Sequence, residues 1–358
     1  EALSYVGALS TLTQLVSLDL SSCESANDLC SLSSLTHLTS LNLSGCEAIT
    51  DLGPLSNLTQ LVSLSMGSCR SLTNLGPLSK LTRLTSLNLS DCTALSDLGP
   101  LSTLVNVPSL DLSGCNTLRD LGPLSSLTQL TSLDLSCCTA LSDLGPLSVL
   151  TQLLSLELSG CNALRELGPL SNLTQLISLD LSACTALSDL EPLSNLTDLT
   201  SLNLSCCDAL SELGPLAGMS QLTSLILQSC ARLSLVGPVA RLQSLVKLDL
   251  SDCPNVRDAD TLTDLPSIRD LDYNEASTRA IILLASAARR DDGDLADHTT
   301  SAAAVFELSK SADMHARHLV SAVAALVKSG LNHADVFGVV VAAFRARCEV
   351  PLSIWEEL

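Results

Sequence analysis

The chain has 358 residues, 38 of them acidic and 18 basic, for a net charge of −20; 46% are hydrophobic but only 2% aromatic. So acidic a surface argues against direct nucleic-acid binding, which needs basic patches to neutralise phosphates, and the apolar content argues against general disorder. No apolar run reaches the roughly 18 residues that a membrane-spanning helix requires.

The text LSYVGALSTL at Leu3–Leu12 matches the second half of a unit that recurs along the chain, without its first half or a polar cap. The expectation is a chain that starts inside a longer protein; it opens on Glu1, so a removed leader stays open.

The recurring unit is found through cysteine. Of 15 cysteines, eleven follow one another at a constant interval of 23 residues, from Cys23 through Cys138 to Cys253. A fixed period of this size means a solenoid or related array. One unit shows the frame: Leu130, Leu133, Leu135, Cys138, Leu141, Leu144, Leu147 and Leu150. Leu133 and Leu135 are two apart and so share one face of a short strand, with Asp134 between them pointing to solvent. The chain turns at Cys138, a small residue that tolerates burial and carries a weak S–H donor. The leucines from Leu141 onward recur every three residues, which predicts a tight 3₁₀-like or extended return path. Gly145-Pro146 turns the chain onto that path. One unit cannot bury its leucines alone, so neighbours must stack.

The pattern decays towards its end. Ile226 stands at a usual Asp/Asn position, Leu235 replaces a usual Asp, and after Cys253 the Gly-Pro pair becomes Asp260-Thr261. A last strand is expected within Ile268–Tyr273, about twelve strands in all. Residues 274–358 lack the period and read as an α-helical region: one helix from Ser277 or Thr278 to Arg290, others at Thr300–Ser311 and from Asp313 to Gly330, and a fourth from Asn332. Such helices would form either a cap on the solenoid or a separate adaptor. Trp355, the chain's only tryptophan, is either tucked into that bundle or part of a docking motif.

Outward positions of the strands form columns. One reads Asp19, Asn42, Ser65, Asn88, Asp111, Asp134, Glu157, Asp180, Asn203, Ile226 and Asp249. Beside it runs a serine column that includes Ser132 and Ser155 and ends at Lys247. Asp111, Asp134, Glu157 and Asp180 fall on consecutive strands about 4.8 Å apart and repel unless water, cations or a basic partner intervene. They are the candidate partner-binding residues, flanked by Asn88 and Asn203 in their own column and by Ser132 and Ser155 beside it. The alternative is a solvated face that keeps a leucine-rich sheet soluble. The columns hold no aromatic residue, so weak, electrostatic or repeated contacts suit this face better than a tight hot spot. A second acidic column runs through Asp28, Asp51, Asn74, Asp97, Asp120, Asp143, Glu166, Asp189 and Glu212, where each is expected to accept backbone N–H bonds and close its own turn.

Catalysis finds little support. No H-E-x-x-H, G-x-S-x-G or phosphate loop occurs, and neither a cofactor nor a metal is implied; His315 and His318, three apart, lack visible co-ligands. Cys137 and Cys206 stand outward beside the ladder, three repeats or about 14 Å apart, too far to bridge. Cysteines without paired spacing fit a reducing cytoplasm better than secretion; secretion stays open, since N-x-[ST] sites such as Asn57 are by-products of the repeat.

The L-x-x-L-x-L-x-x-C frame resembles the leucine-rich repeat superfamily over residues 1–273. The segment C-x-x-L-S-D at Cys138–Asp143 is similar to the cysteine-containing repeats that accompany F-boxes; G-P-L-S-x-L-T-x-L at Gly145–Leu153 is similar to the short repeats of bacterial internalin-like proteins. The resemblance implies an α/β solenoid, a horseshoe or arc of about twelve parallel strands, followed by a helical cap or bundle. It implies a non-enzymatic protein–protein interaction scaffold or adaptor that recognises its partner on the concave face; the acidic column of this sequence adds a basic segment as the expected partner. The rival readings are a structural subunit of a large assembly, a ubiquitin-ligase substrate receptor with its F-box outside this chain, and binding to a repetitive surface such as ice or glycan.

Overall fold

The computed structural model describes residues 7–24 and 27–273. The helices expected over 274–358 lie outside the described residues, as do His315, His318 and Trp355. The chain divides into two compact units, Glu1–Ala209 and Leu210–Leu358.

In the first unit nine three-residue strands follow in chain order: β1 (Ser17–Asp19), β2 (Ser40–Asn42), β3 (Ser63–Ser65), β4 (Ser86–Asn88), β5 (Ser109–Asp111), β6 (Ser132–Asp134), β7 (Ser155–Glu157), β8 (Ser178–Asp180) and β9 (Ser201–Asn203). Each pairs in parallel with the next, and each residue faces the one 23 positions on, as Leu133 faces Leu156. The register follows from the period: parallel neighbours built from identical text place like on like. The second unit holds β10 (Ser224–Ile226), β11 (Lys247–Asp249) and β12 (Asp270–Asp272), paired in the same manner. The decayed end of the pattern thus still forms its last strand where the sequence places it. On that pair Lys247 Nζ lies 3.9 Å from Asp270 Oδ2, an exposed ion pair of little energetic weight.

The return path resolves into turns of the 3₁₀ type. Leu147 N–H donates to Leu144 O, Leu150 to Leu147 and Leu153 to Leu150 at 2.9–3.0 Å, with the helical turn at Gly145–Val149. Bonds spaced three apart put every third side chain on one side, so the leucines that carry these bonds also fill the core: Leu141, Leu144, Leu147, Leu150 and Leu153 are 0–1% exposed. The serine of each Gly-Pro-Leu-Ser stretch donates back to the glycine carbonyl, as Ser148 Oγ does to Gly145 O at 2.7 Å.

The cysteine ladder holds consecutive repeats together. Cys138 Sγ donates to Leu112 O at 3.3 Å, Cys161 to Leu135 O at 3.3 Å and Cys184 to Leu158 O at 3.3 Å. Each thiol thus reaches the residue that follows the strand of the preceding repeat. Cys46 through Cys253 are buried, whereas Cys23 is half-exposed. Burial pushes the thiols of Cys69, Cys92, Cys115, Cys161, Cys184 and Cys207 up to about 12, which keeps them protonated as donors.

The residue before each ladder cysteine is left-handed in eleven repeats. Glycine fills the place at Gly45, Gly114 and Gly160; Ser22, Ser68, Asp91, Cys137, Ala183, Cys206, Ser229 and Asp252 also adopt positive φ there. A non-glycine residue in this region costs about 1 kcal/mol, so stacking imposes the turn whatever the side chain.

The second acidic column closes turns as expected where it carries Asp or Asn. Asp51 accepts from Gly53 N–H at 2.7 Å, Asn74 from Gly76 at 2.8 Å, Asp97 from Gly99 at 2.8 Å and Asp143 from Gly145 at 2.7 Å. Asp28 and Asp189 do the same for Cys30 and Glu191, both at 2.8 Å, and the Cys30 N–H holds the Asp28 carboxyl below its usual range. At Glu166 and Glu212 the expectation fails. Glutamate is one methylene too long for this ring, and the space against Gly168 and Gly214 is empty. Glu166→Asp and Glu212→Asp should therefore each raise stability by about 0.5–1.5 kcal/mol, read as a shift in the denaturant midpoint. Leu235 occupies the same column without an acceptor, and Asp258 of the next repeat takes over: Val236 N–H donates to its Oδ1 at 2.7 Å and Gly237 N–H to its Oδ2 at 2.8 Å.

Candidate functional site

The strands turn their leucines inward and leave short rows outward. In β6, Leu133 is buried between half-buried Ser132 and Asp134. Register carries this alternation along the first unit, so Asn88 faces Asp111, Asp111 faces Asp134, Asp134 faces Glu157, Glu157 faces Asp180 and Asp180 faces Asn203. Ser132 and Ser155 face each other in the adjoining row. All eight candidate residues thus come together on one outward face.

Most of these side chains also have a local task that the sequence reading missed. Asp111 Oδ1 accepts from Ser113 N–H at 3.0 Å and from its hydroxyl at 2.7 Å. Asp134 accepts from Ser136 N–H at 2.8 Å and Asp180 from Ser182 N–H at 2.7 Å. Asn88 and Asn203 do the same for Ser90 and Ser205. These are Asx turns that steer the chain out of the strand. The spacing Asp/Asn-x-Ser, two residues apart in repeat after repeat, was the available signal. Asn203 Nδ2 also donates to Asp180 Oδ2 at 2.9 Å, which ties β8 to β9.

Glu157 is the exception. Its longer side chain makes no such turn; Ser155 Oγ donates to Oε1 at a long 3.5 Å. Loss of solvent, then the charges of Asp180 and Asp134, push its carboxyl above the usual 4.5. The ion pairs Arg70–Glu47 and Lys247–Asp270 do not touch the four-acid row. Among the described residues no group of three or more His, Cys, Asp or Glu side chains is placed to hold a metal ion.

Two further surface features escaped the sequence reading. Cys30 is exposed along with Cys137 and Cys206. Leu154 and Ile177, one residue before β7 and β8, are 39% and 43% exposed; the signal was two large apolar residues in succession at a place where Thr131 and Thr200 stand on either side.

The model of the leucine-rich repeat family matches residues 34–53 and 126–145. Among solved structures, an internalin, InlF of Listeria monocytogenes, is similar at 26% identity over 74% of this chain and 89% of its own, with a TM-score of 0.51. The functional domain of InlJ from Listeria monocytogenes, described as including a cysteine ladder, is 22% identical over 75% of this chain and 66% of its own, with a TM-score of 0.51. Mouse RP105, solved as a complex with MD-1, is 22% identical over 78% of this chain and 51% of its own, with a TM-score of 0.59. No curated protein matches the sequence. The repeat frame, the parallel strands and these likenesses agree: the chain is a leucine-rich repeat protein. Proteins of this fold generally mediate protein–protein interaction and are typically non-enzymatic. No helix among the described residues is long and apolar enough to cross a membrane.

Proposed function

We propose that this chain is a non-enzymatic scaffold or adaptor, and that its outward sheet face seats a basic segment of another protein. The observation that carries the reading is the row Asp111, Asp134, Glu157 and Asp180, set in register without a cation. Like charges so placed raise the energy of the face, and Lys or Arg from a partner lowers it. The exposed thiols of Cys30, Cys137 and Cys206 support a reducing compartment as its place of work.

The test replaces all four acids by Asn. The fold tolerates the change, because Asn42, Asn88 and Asn203 already make the same turn. Stability holds or rises slightly, and the rise depends on pH. Glu157 has a folded-state pKa above its unfolded value, so wild-type stability falls as pH rises from about 4.5 through that folded value, then levels off. The gain is therefore present at pH 7 and gone below about pH 4. Partner capture from a lysate, with mass spectrometry, should lose basic partners in the variant, most at low salt. Equal capture by both proteins at low and physiological salt would end this reading.

A further inference from the structure

One residue before the strands runs another outward row: Thr131, Leu154, Ile177 and Thr200 precede β6 to β9. Leu154 N–H donates to Thr131 O and Ile177 N–H to Leu154 O, both at 2.8 Å, so the two large side chains stand on neighbouring repeats. They precede the strands that carry Glu157 and Asp180. Three residues of extended chain separate the apolar pair from the acids, about 10 Å. Between them the surface carries the small, half-buried Ser155 and Ser178, since Leu156 and Leu179 are buried.

We propose that Leu154 and Ile177, together with Asp134, Glu157 and Asp180, seat an amphipathic α-helix of a partner protein laid across the strands. Its basic stripe meets the acids and its apolar stripe covers the pair. This rests on the reading of the face as a basic-segment seat and adds the helical form and the apolar half. Spacing selects the helix. It advances 5.4 Å per turn, so basic residues at i, i+4 and i+7 span about 10.5 Å, close to the roughly 9.6 Å across three neighbouring strands. An extended segment presents like-facing side chains only about every 6.6 Å and falls out of step within two strands. A helix is also about 10–12 Å across with its side chains, which bridges the two rows. Charge selects the stripe: Asp134, Glu157 and Asp180 offer carboxylates, and neither the ion pair at Arg70 nor that at Lys247 reaches them.

The probes are three synthetic peptides of about 18 residues, long enough for an Ala-rich helix. One carries Lys at i, i+4, i+7 and i+11 with an adjoining Leu stripe; in the second Ala replaces Leu; the third scrambles the first. Fluorescence anisotropy with the full chain should show the Lys/Leu peptide binding about tenfold tighter than the other two, a ratio that survives high salt. In Leu154→Ser/Ile177→Ser the ratio to the Ala peptide should fall to about one while the salt-sensitive binding stays. In the four-Asn variant the salt-sensitive part should vanish and the ratio remain. If the Leu154→Ser/Ile177→Ser protein keeps the tenfold ratio, the apolar half is wrong while the basic seat stands. A scrambled peptide that binds equally well overturns the helical form. Failure of all three peptides on the parent overturns both readings.

Discussion

Alkylation of the native protein at pH 8 should modify exposed Cys137 and Cys206 far faster than Cys69 through Cys207 of the ladder, with exposed Cys30 behind them because the bond to the Asp28 carboxylate, and then its charge, push the Cys30 thiol up. The thiolate is the reacting species. A ladder thiol at about 12 is only about one part in ten thousand ionised at pH 8. Burial of the ladder sulfurs beneath the sheet slows the reagent further. Half-exposed Cys23 should fall between the two groups. Time-resolved maleimide labelling read by peptide mass spectrometry gives the order. Uniform labelling, or a disulfide between ladder cysteines in the native preparation, would contradict both the buried ladder and the reducing compartment proposed for the protein.

Leu156→Ala and Leu154→Ala should differ sharply although the residues are two apart. Leu156 lies in β7 at 0% exposure, in contact range of the equivalent leucines Leu133 and Leu179 through the register. Truncation leaves a cavity that the stacked repeats on either side cannot close, at a cost of about 2–5 kcal/mol. Leu154 is 39% exposed, and its truncation should cost less than about 1 kcal/mol. Urea denaturation followed by circular dichroism separates the two. Similar midpoints for the two variants would mean that the two leucines are not sorted between core and surface.

The period of 23 was enough to place the strands, their direction and their register, because identical units that stack must put like residues side by side. It also placed the buried leucines, the ladder cysteines as thiol donors and a last strand within Ile268–Tyr273, which forms at Asp270–Asp272. Composition and columns were enough to bring the eight candidate residues onto one face. What each side chain does there was settled only by three-dimensional placement. Asp134 and Glu157 look alike in the sequence, yet one carbon decides that the first closes an Asx turn and the second is left half-buried with a raised pKa. The same carbon separates Asp143 from Glu166 in the second column. Leu154 and Leu156 are the same residue type, and only the end of the inward alternation before β7 leaves one of them in solvent. The loss of an acceptor at Leu235 was legible; its replacement by Asp258 from the following repeat was not, because it depends on a carboxylate reaching across a distance that stacking alone sets. Periodicity determines which residues meet. Side-chain length and the depth of each position decide what they do once they have met.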